Sequence, residues 1–212
     1  MSSPAEMWDR RFAEEGWPTE PDPYLVELAQ ALGPGRALDL GSGPGRNSLW
    51  LAARGWDMSL VDVSRIGLDQ ATTAAGALGV TVTTVCADLF DWRPEEAGYD
   101  LVIVANLHPG PKALAAALAG GARALRPGGH LYVVGHHISN LGRHGPPDAD
   151  RLLTPERLRD ALPGELRIEV LDTRDRSAHH QQPAHTSADT VVVAWAAKPR
   201  APGSQQRRAS PR

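Results

Sequence analysis

Between Ala37 and Ala197 the chain alternates short, nearly continuous apolar runs with longer segments whose apolar positions recur every three or four residues. That rhythm predicts parallel strands joined by crossover helices. Residues 37–40 form a short apolar run entering a glycine-rich bend, and 47–53 read as a helix stopped at Gly55. Residues 58–62 give a second strand, and Ser64 is placed to cap an Ala-rich helix running toward Gly79. Residues 80–86 alternate as a third strand. Residues 99–105 are almost wholly apolar, as in a strand buried on both faces, and predict the sheet centre. An Ala/Leu helix over 112–125 ends at the turn Arg126-Pro127-Gly128-Gly129, with a fifth strand over 131–134. Thr154 followed by Pro155 is an N-cap signature opening a short helix to Leu162; residues 167–171 and 190–197 supply two more strands. The expectation is an α/β single domain: a doubly wound, mostly parallel seven-stranded sheet with about six helices.

Two segments stand outside this core of 35–198. Residues 1–34 predict a helical cap, in which Trp8, Arg11, Phe12 and Trp17 cluster without being needed to build the sheet. Residues 199–212 are polar and basic with nothing to bury, and predict a disordered tail.

Composition removes several function classes. With 42% hydrophobic and 22% charged residues the chain is of ordinary globular make-up. It has no apolar run of the roughly 18 residues a membrane helix needs, and its first residues lack a secretory layout, so the expected location is the cytoplasm, away from membranes. Cys86 is alone, which precludes an intrachain disulfide. The net charge is −3, but four arginines lie in the tail, leaving the body at −7. An acidic body suits a nucleic-acid partner poorly. Seven of the eight histidines fall between His130 and His185, yet they have no HExxH-type spacing and no carboxylate cluster, so no metal is expected. Oligomeric state has no signature in the sequence.

The most informative stretch is Asp39-Leu40-Gly41-Ser42-Gly43-Pro44-Gly45. In open α/β sheets ligands bind beyond the carboxyl ends of the strands where strand order reverses, which is where the turn after a first strand lies. Glycines there let backbone approach a ligand, and the N–H groups opening the next helix face the same space. Asp62 ends the second strand, where a carboxylate can accept from two ribose hydroxyls; Asp88 ends the third, where it can accept from an adenine amino group while Leu89 packs on the ring. A dinucleotide site prefers Gly-x-Gly-x-x-Gly, and Arg46 stands where its third glycine would be. No Gly-x-Ser-x-Gly elbow and no phosphate-binding Gly-Lys-Ser/Thr occurs.

The Asp-x-Gly-x-Gly-x-Gly run with its downstream acids resembles the class I S-adenosylmethionine-dependent methyltransferases, well over 36–135 and more loosely over 5–198. Trp8-Asp9-Arg10-Arg11-Phe12, Arg46-Asn47 and Gly135-His136-His137 look more narrowly like the small tellurite-resistance and thiopurine-type members. The resemblance implies S-adenosylmethionine as cofactor and a small-molecule acceptor methylated on sulfur, nitrogen or oxygen. It implies that Gly41 and Gly43 pack on the methionine part, Asp62 holds the ribose, and Asp88 with the Leu89 amide reads adenine. Ala105, Asn106 and Leu107 would contact the cofactor amine and floor the transfer channel. Arg11 or Arg46 would pair with the methionine carboxylate, with Trp8, Asp39, Ser42, Asn47, Val63 and Ala87 completing the lining. A nicotinamide-dependent reductase and a non-catalytic cofactor-binding regulator are the alternatives.

Methyl transfer from a sulfonium chiefly needs alignment and exclusion of water. A base matters when the acceptor is a hydroxyl or a protonated amine and little for a thiolate. The candidate bases are His108, just after the fourth strand, and His136 and His137, ending the fifth; strand alternation points one of that pair inward without saying which. The polar loop 177–189 is long enough to be mobile or to form part of the acceptor mouth.

Overall fold

A computed structural model of the chain describes residues 3–176 and 189–200. Two helices open it, α1 (Pro4–Glu14) and α2 (Pro23–Ala29). Strands β1 (Arg36–Leu40), β2 (Asp57–Asp62) and β3 (Val82–Cys86) then alternate with α3 (Arg46–Ala52) and α4 (Arg65–Ala77). β4 (Tyr99–Ala105), α5 (Pro111–Ala124), β5 (Leu125–His136), α6 (Pro155–Ala161), β6 (Arg167–Asp175) and β7 (Thr190–Ala197) complete it. The strand order is β3-β2-β1-β4-β5-β7-β6, parallel through β5, with β7 antiparallel between β5 and β6. This is the predicted doubly wound sheet, and order reverses between β1 and β4, placing the glycine bend at the switch point.

Alternation along the strands divides the core in two. Leu38, Leu40, Val102 and Val133 pack with Leu114 and Leu118 of α5 and Leu158 of α6. Ala37, Leu60, Ile103, Tyr132 and Val134 pack with Tyr24 and Leu25 of α2, Leu51 of α3 and Leu68 of α4. β4, buried from Leu101 to Val104, occupies the sheet centre as its apolar run predicts.

Three boundaries differ from the sequence pattern, each for a local reason. β3 begins at Val82, because the Val80 N–H bonds to the Ala75 carbonyl and Gly79 takes φ 68°, so these residues close α4. β5 begins at Leu125, the expected turn being absorbed as a register shift opposite Tyr99 and Leu101. β6 runs on to Asp175 although its outer positions are polar, since it is an edge strand paired only with β7. The histidines His179, His180 and His185, most of the predicted 177–189 loop and nearly all of the predicted tail lie outside the described residues.

Candidate active site

The bend after β1 is held rigidly from beneath. Gly41 and Ser42 donate their N–H groups to the Val61 carbonyl at 2.8 and 3.3 Å, and Gly43 donates to Asp62 Oδ2 at 2.8 Å. The N–H groups of Gly41, Ser42 and Gly43 are therefore spent on β2 and that of Gly45 on the Ser42 carbonyl. Gly43, at φ 51°, is required twice over: a Cβ there is strained and would sit 2.9 Å from the Phe12 ring. Gly41, at φ 76°, faces Leu107 with a similar lack of room, 3.1 Å from an added Cβ.

Asp62 accepts from Gly43 N and from Ser64 N at 2.8 Å each, one bond per carboxylate oxygen. The Val63 N–H also favours the charged carboxylate, and the four acceptor positions of a carboxylate still leave room for a further donor. Burial raises the Asp62 pKa against the pull of these backbone donors. Asp39 lies under the bend, 2% exposed, accepting from the Ser48 hydroxyl of α3 at 2.7 Å. Burial raises its pKa from 3.8 to about 7, the Ser48 bond opposing and the Asp62 charge reinforcing the shift. Asp39 thus ties strand to helix. Asp88 is exposed and forms an Asx turn to Phe90 N at 2.9 Å, holding Leu89 beside the carboxyl end of β3. The Ala87 N–H bonds to the Asp62 carbonyl and the Val63 carbonyl accepts from Cys86 Sγ, closing β2 and β3 together.

Helix α1 roofs this arrangement. Phe12 sits on Gly43 and Gly67, stacks on Trp8 at 5.5 Å and meets Trp17 edge-on at 4.8 Å. Asp9 accepts from the Ser64 hydroxyl and the Ile66 N–H at the start of α4, and Gln70 donates to the Phe12 carbonyl. Of the two arginines expected to meet the cofactor carboxylate, Arg11 turns to Glu15 and lies over Trp8 and Trp17, with 42% of its side chain exposed. Arg46 points inward with only distant partners, the Glu20 carbonyl at 3.5 Å and Asp22 at 3.9 Å, and burial lowers its pKa.

A buried polar network runs from here to the far edge of the sheet. Asp22, fully buried, accepts from Tyr132 Oη at 2.7 Å, Tyr24 N and Arg176 Nη2 at 2.7 Å, while its own N–H donates to Asn47. Arg176 also reaches Asn106 at 3.5 Å and Asp189 at 3.3 Å. Asn106, at φ 55°, bonds through its N–H to the Val134 carbonyl, between Ala105 at the end of β4 and Leu107 against Gly41. Asp22, Tyr132, Arg176 and Asp189 were not legible as site residues: they are more than a hundred positions apart in part, and only Asp22, as a helix cap before Pro23, has a local signature.

The three candidate histidines have different fates. His108 Nε2 accepts from the His136 N–H at 3.3 Å, so its Nδ1 carries the proton donated to the Arg151 carbonyl at 2.8 Å. Both nitrogens are occupied, and burial drives the pKa from 6.5 to about 4, against the Arg151 bond. A neutral ring with no free lone pair is a structural histidine, which removes the best reason for reading it as a base. His137 caps the short 3-10 turn Ile138–Asn140, accepting from Ser139 N. His136 shares the face of Tyr132 and Val134 and pairs through Nδ1 with Asp189 at 3.0 Å. Among the described residues no group of three potential metal ligands occurs.

The cofactor expected from the sequence fits these residues. The Ser42 hydroxyl of the bend is buried without a hydrogen-bond partner among the described residues, a polar atom left for a ligand to meet. Two acids at adjacent strand ends and the inward guanidinium of Arg46 match an adenosyl group at one end and an amino acid at the other.

Comparison with known proteins agrees. A family model described as a methyltransferase domain matches residues 37–129. A ribosomal RNA small subunit methyltransferase C from Alcanivorax borkumensis is 34% identical over 70 residues, a match covering 33% of this chain and 21% of that protein. The chain thus spans about a fifth of that relative's length. A structure described under the conversion of a disulfide bond into a thioacetal group during echinomycin biosynthesis superposes with a TM-score of 0.75 at 22% identity, over 92% of both chains. The N-methyltransferase NodS from Bradyrhizobium japonicum, bound to S-adenosyl-L-homocysteine, superposes with a TM-score of 0.69 at 15% identity, over 92% of this chain and 98% of that one. The matched methyltransferase-domain model begins on β1 and spans the glycine bend and all three strand-end acids, and the superposed structures share the fold of this chain.

Proposed function

We propose that the protein transfers a methyl group from S-adenosylmethionine to a small-molecule acceptor. The observation that carries the small-acceptor reading is the roof: α1 packs Phe12 directly onto Gly43 and Gly67 and is fastened to α4 through Asp9 and Gln70. Such a closure excludes water and leaves little access for a folded macromolecule. The acidic body also disfavours a polyanionic acceptor.

The bound cofactor supplies a methyl group on a positively charged sulfur. In this reading Gly41 and Gly43 admit its methionine part, Arg46 pairs with its carboxylate, and Asp62 accepts from the ribose hydroxyls. Asp88 and the Leu89 amide read the adenine, with Val63 and Ala87 at its edges. Ala105, Asn106 and Leu107 floor the channel toward the acceptor, and Trp8 closes it from above. Asp39, Ser48 and Asn47 support the bend from behind. We assign residues 1–34 as the cap, 35–198 as the catalytic core and 199–212 as a tail without a part in the chemistry, in a cytoplasmic enzyme. No helix among the described residues is long and apolar enough to cross a membrane.

A ribosomal RNA acceptor is the second reading, favoured by the curated relative. Release of S-adenosyl-L-homocysteine in parallel assays with a small-molecule acceptor library and with small-subunit ribosomal RNA separates the two. Turnover on RNA alone defeats the small-acceptor reading. Asp62→Ala should weaken S-adenosyl-L-homocysteine binding at least about tenfold in calorimetry, since charge-assisted hydrogen bonds of about 1.5–3 kcal/mol are removed. Unchanged affinity would undo the ribose assignment.

A further inference from the structure

Beyond the bend, the carboxyl end of β5 carries a constellation with the form of an oriented base. His136 Nδ1 lies 3.0 Å from Asp189 Oδ1. The same oxygen accepts from the Asn140 amide at 3.0 Å, and that amide also donates to the Thr190 carbonyl at 2.7 Å. With both amide hydrogens so used, the hydrogen between His136 and Asp189 belongs to Nδ1, and the Nε2 lone pair is left without a partner among the described residues. The ring is fixed on its other face by stacking on His108 at 5.4 Å, and Gly145 lies so close that a Cβ there would approach the ring to 2.6 Å. Its side chain is 17% exposed, so the ring is held in place without being sealed from solvent.

Asp189 is itself locked. Its second oxygen takes Arg176 Nη1 at 3.3 Å, and Arg176 extends to Asn106, the residue following β4. Burial alone would raise the Asp189 carboxyl, but the His136 bond and the Arg176 charge overcome it and hold it at about 2. An ionised carboxylate on Nδ1 fixes the orientation of the imidazole and stabilises the positive charge that forms when Nε2 takes a proton. Among the described residues the charged and titratable groups around the ring are Asp189 just before β7, Arg176 following β6, His108 from the loop after β4, and His144 beyond Asp189.

We propose that His136 Nε2 takes the acceptor's proton, with Asp189 as its positioning residue, and that the acceptor atom is therefore a hydroxyl oxygen or a protonated amine nitrogen. This rests on the methyltransferase reading and narrows it. The acceptor proton passes to Nε2, before attack for a protonated amine and with it for a hydroxyl; the electron pair on the acceptor atom forms the new bond to the methyl carbon, and the carbon–sulfur bond of the donor breaks with its electron pair left on sulfur. A thiolate acceptor has no proton to lose and would leave this dyad without work.

The test uses the full chain, with Asp189→Asn and His136→Gln beside the parent. Nitrogen-15 NMR of the imidazoles at neutral pH should show His136 protonated at Nδ1 and bare at Nε2 in the parent. Asp189→Asn should shift it toward the Nε2–H form, because a side-chain amide can donate to Nδ1. Catechol, phenethylamine and thiophenol are then offered with S-adenosylmethionine. Methylation of catechol or phenethylamine is expected, with kcat falling at least about a hundredfold in both variants, KM and S-adenosyl-L-homocysteine affinity nearly unchanged, and added imidazole partly restoring His136→Gln. An Nε2–H tautomer in the parent, full rate in Asp189→Asn, or turnover confined to thiophenol each overturns the proposal. Absence of calorimetric heat with S-adenosyl-L-homocysteine in the parent would instead defeat the underlying cofactor reading.

Discussion

Asp39 and His108, both buried, make opposite demands on pH. Asp39 rises from 3.8 to about 7 on burial, so the folded chain holds a proton that the unfolded chain releases. Its contribution is complete below pH 3.8 and disappears as the pH rises through 7. His108 falls from 6.5 to about 4, so folding excludes a proton that the unfolded chain accepts. Its contribution is complete above pH 6.5 and disappears as the pH falls through 4. Between pH 7 and pH 5 linkage gives a gain of about 2 kcal/mol from Asp39 and a loss of about 2 kcal/mol from His108. The two nearly cancel in the parent. Asp39→Asn keeps an acceptor for the Ser48 hydroxyl but removes the titration, and should lose about 2 kcal/mol more than the parent from pH 7 to pH 5. His108→Asn, whatever its absolute cost, should change in the opposite sense by a similar amount. Urea denaturation at both pH values measures this, and the difference between variant and parent cancels every group the two share. Parallel pH dependence in all three proteins would refute the argument that these groups are titrated by burial.

Three further outcomes follow from the site. Gly43→Ala forces a Cβ against the Phe12 ring at φ 51°, and should cost about 1–3 kcal/mol in a thermal or chemical melt together with cofactor affinity in calorimetry; parent-like values would mean the roof is not seated on the bend. Arg46→Met should weaken S-adenosyl-L-homocysteine about tenfold or more while leaving 5′-methylthioadenosine, which lacks the carboxylate, nearly unaffected; equal loss for both would reassign Arg46. Asp22→Asn leaves the buried Arg176 without its closest carboxylate and should destabilise the chain by about 3–5 kcal/mol in urea, more than the usual cost of a single substitution.

The fold was legible because it is written locally. The apolar runs of β1, β2 and β4, the caps at Ser64 and Thr154 and the glycines after β1 each act within a few residues, and the caps bond as their spacing implies. The doubly wound, mostly parallel sheet followed from the alternation of strands and helices, whereas the antiparallel insertion of β7 between β5 and β6 did not. Phe12 was visible as one of a cluster of aromatics, but its seat on Gly43 depends on how α1 crosses the sheet.

The choice among equivalent side chains needed the tertiary structure. Nothing within reach of His108 along the chain shows that the Arg151 carbonyl and the His136 N–H will occupy its two nitrogens. Nothing beside His136 announces Asp189, 53 positions away. Arg11 and Arg46 look alike in sequence, yet one lies on the surface beside Glu15 and the other under the roof. Local propensity and periodicity determined which segments became strands and helices and put the glycine bend at the switch point of the sheet. Which histidine keeps a usable lone pair was decided by packing alone, because a proton's affinity depends on neighbours that only the folded chain brings within hydrogen-bonding distance.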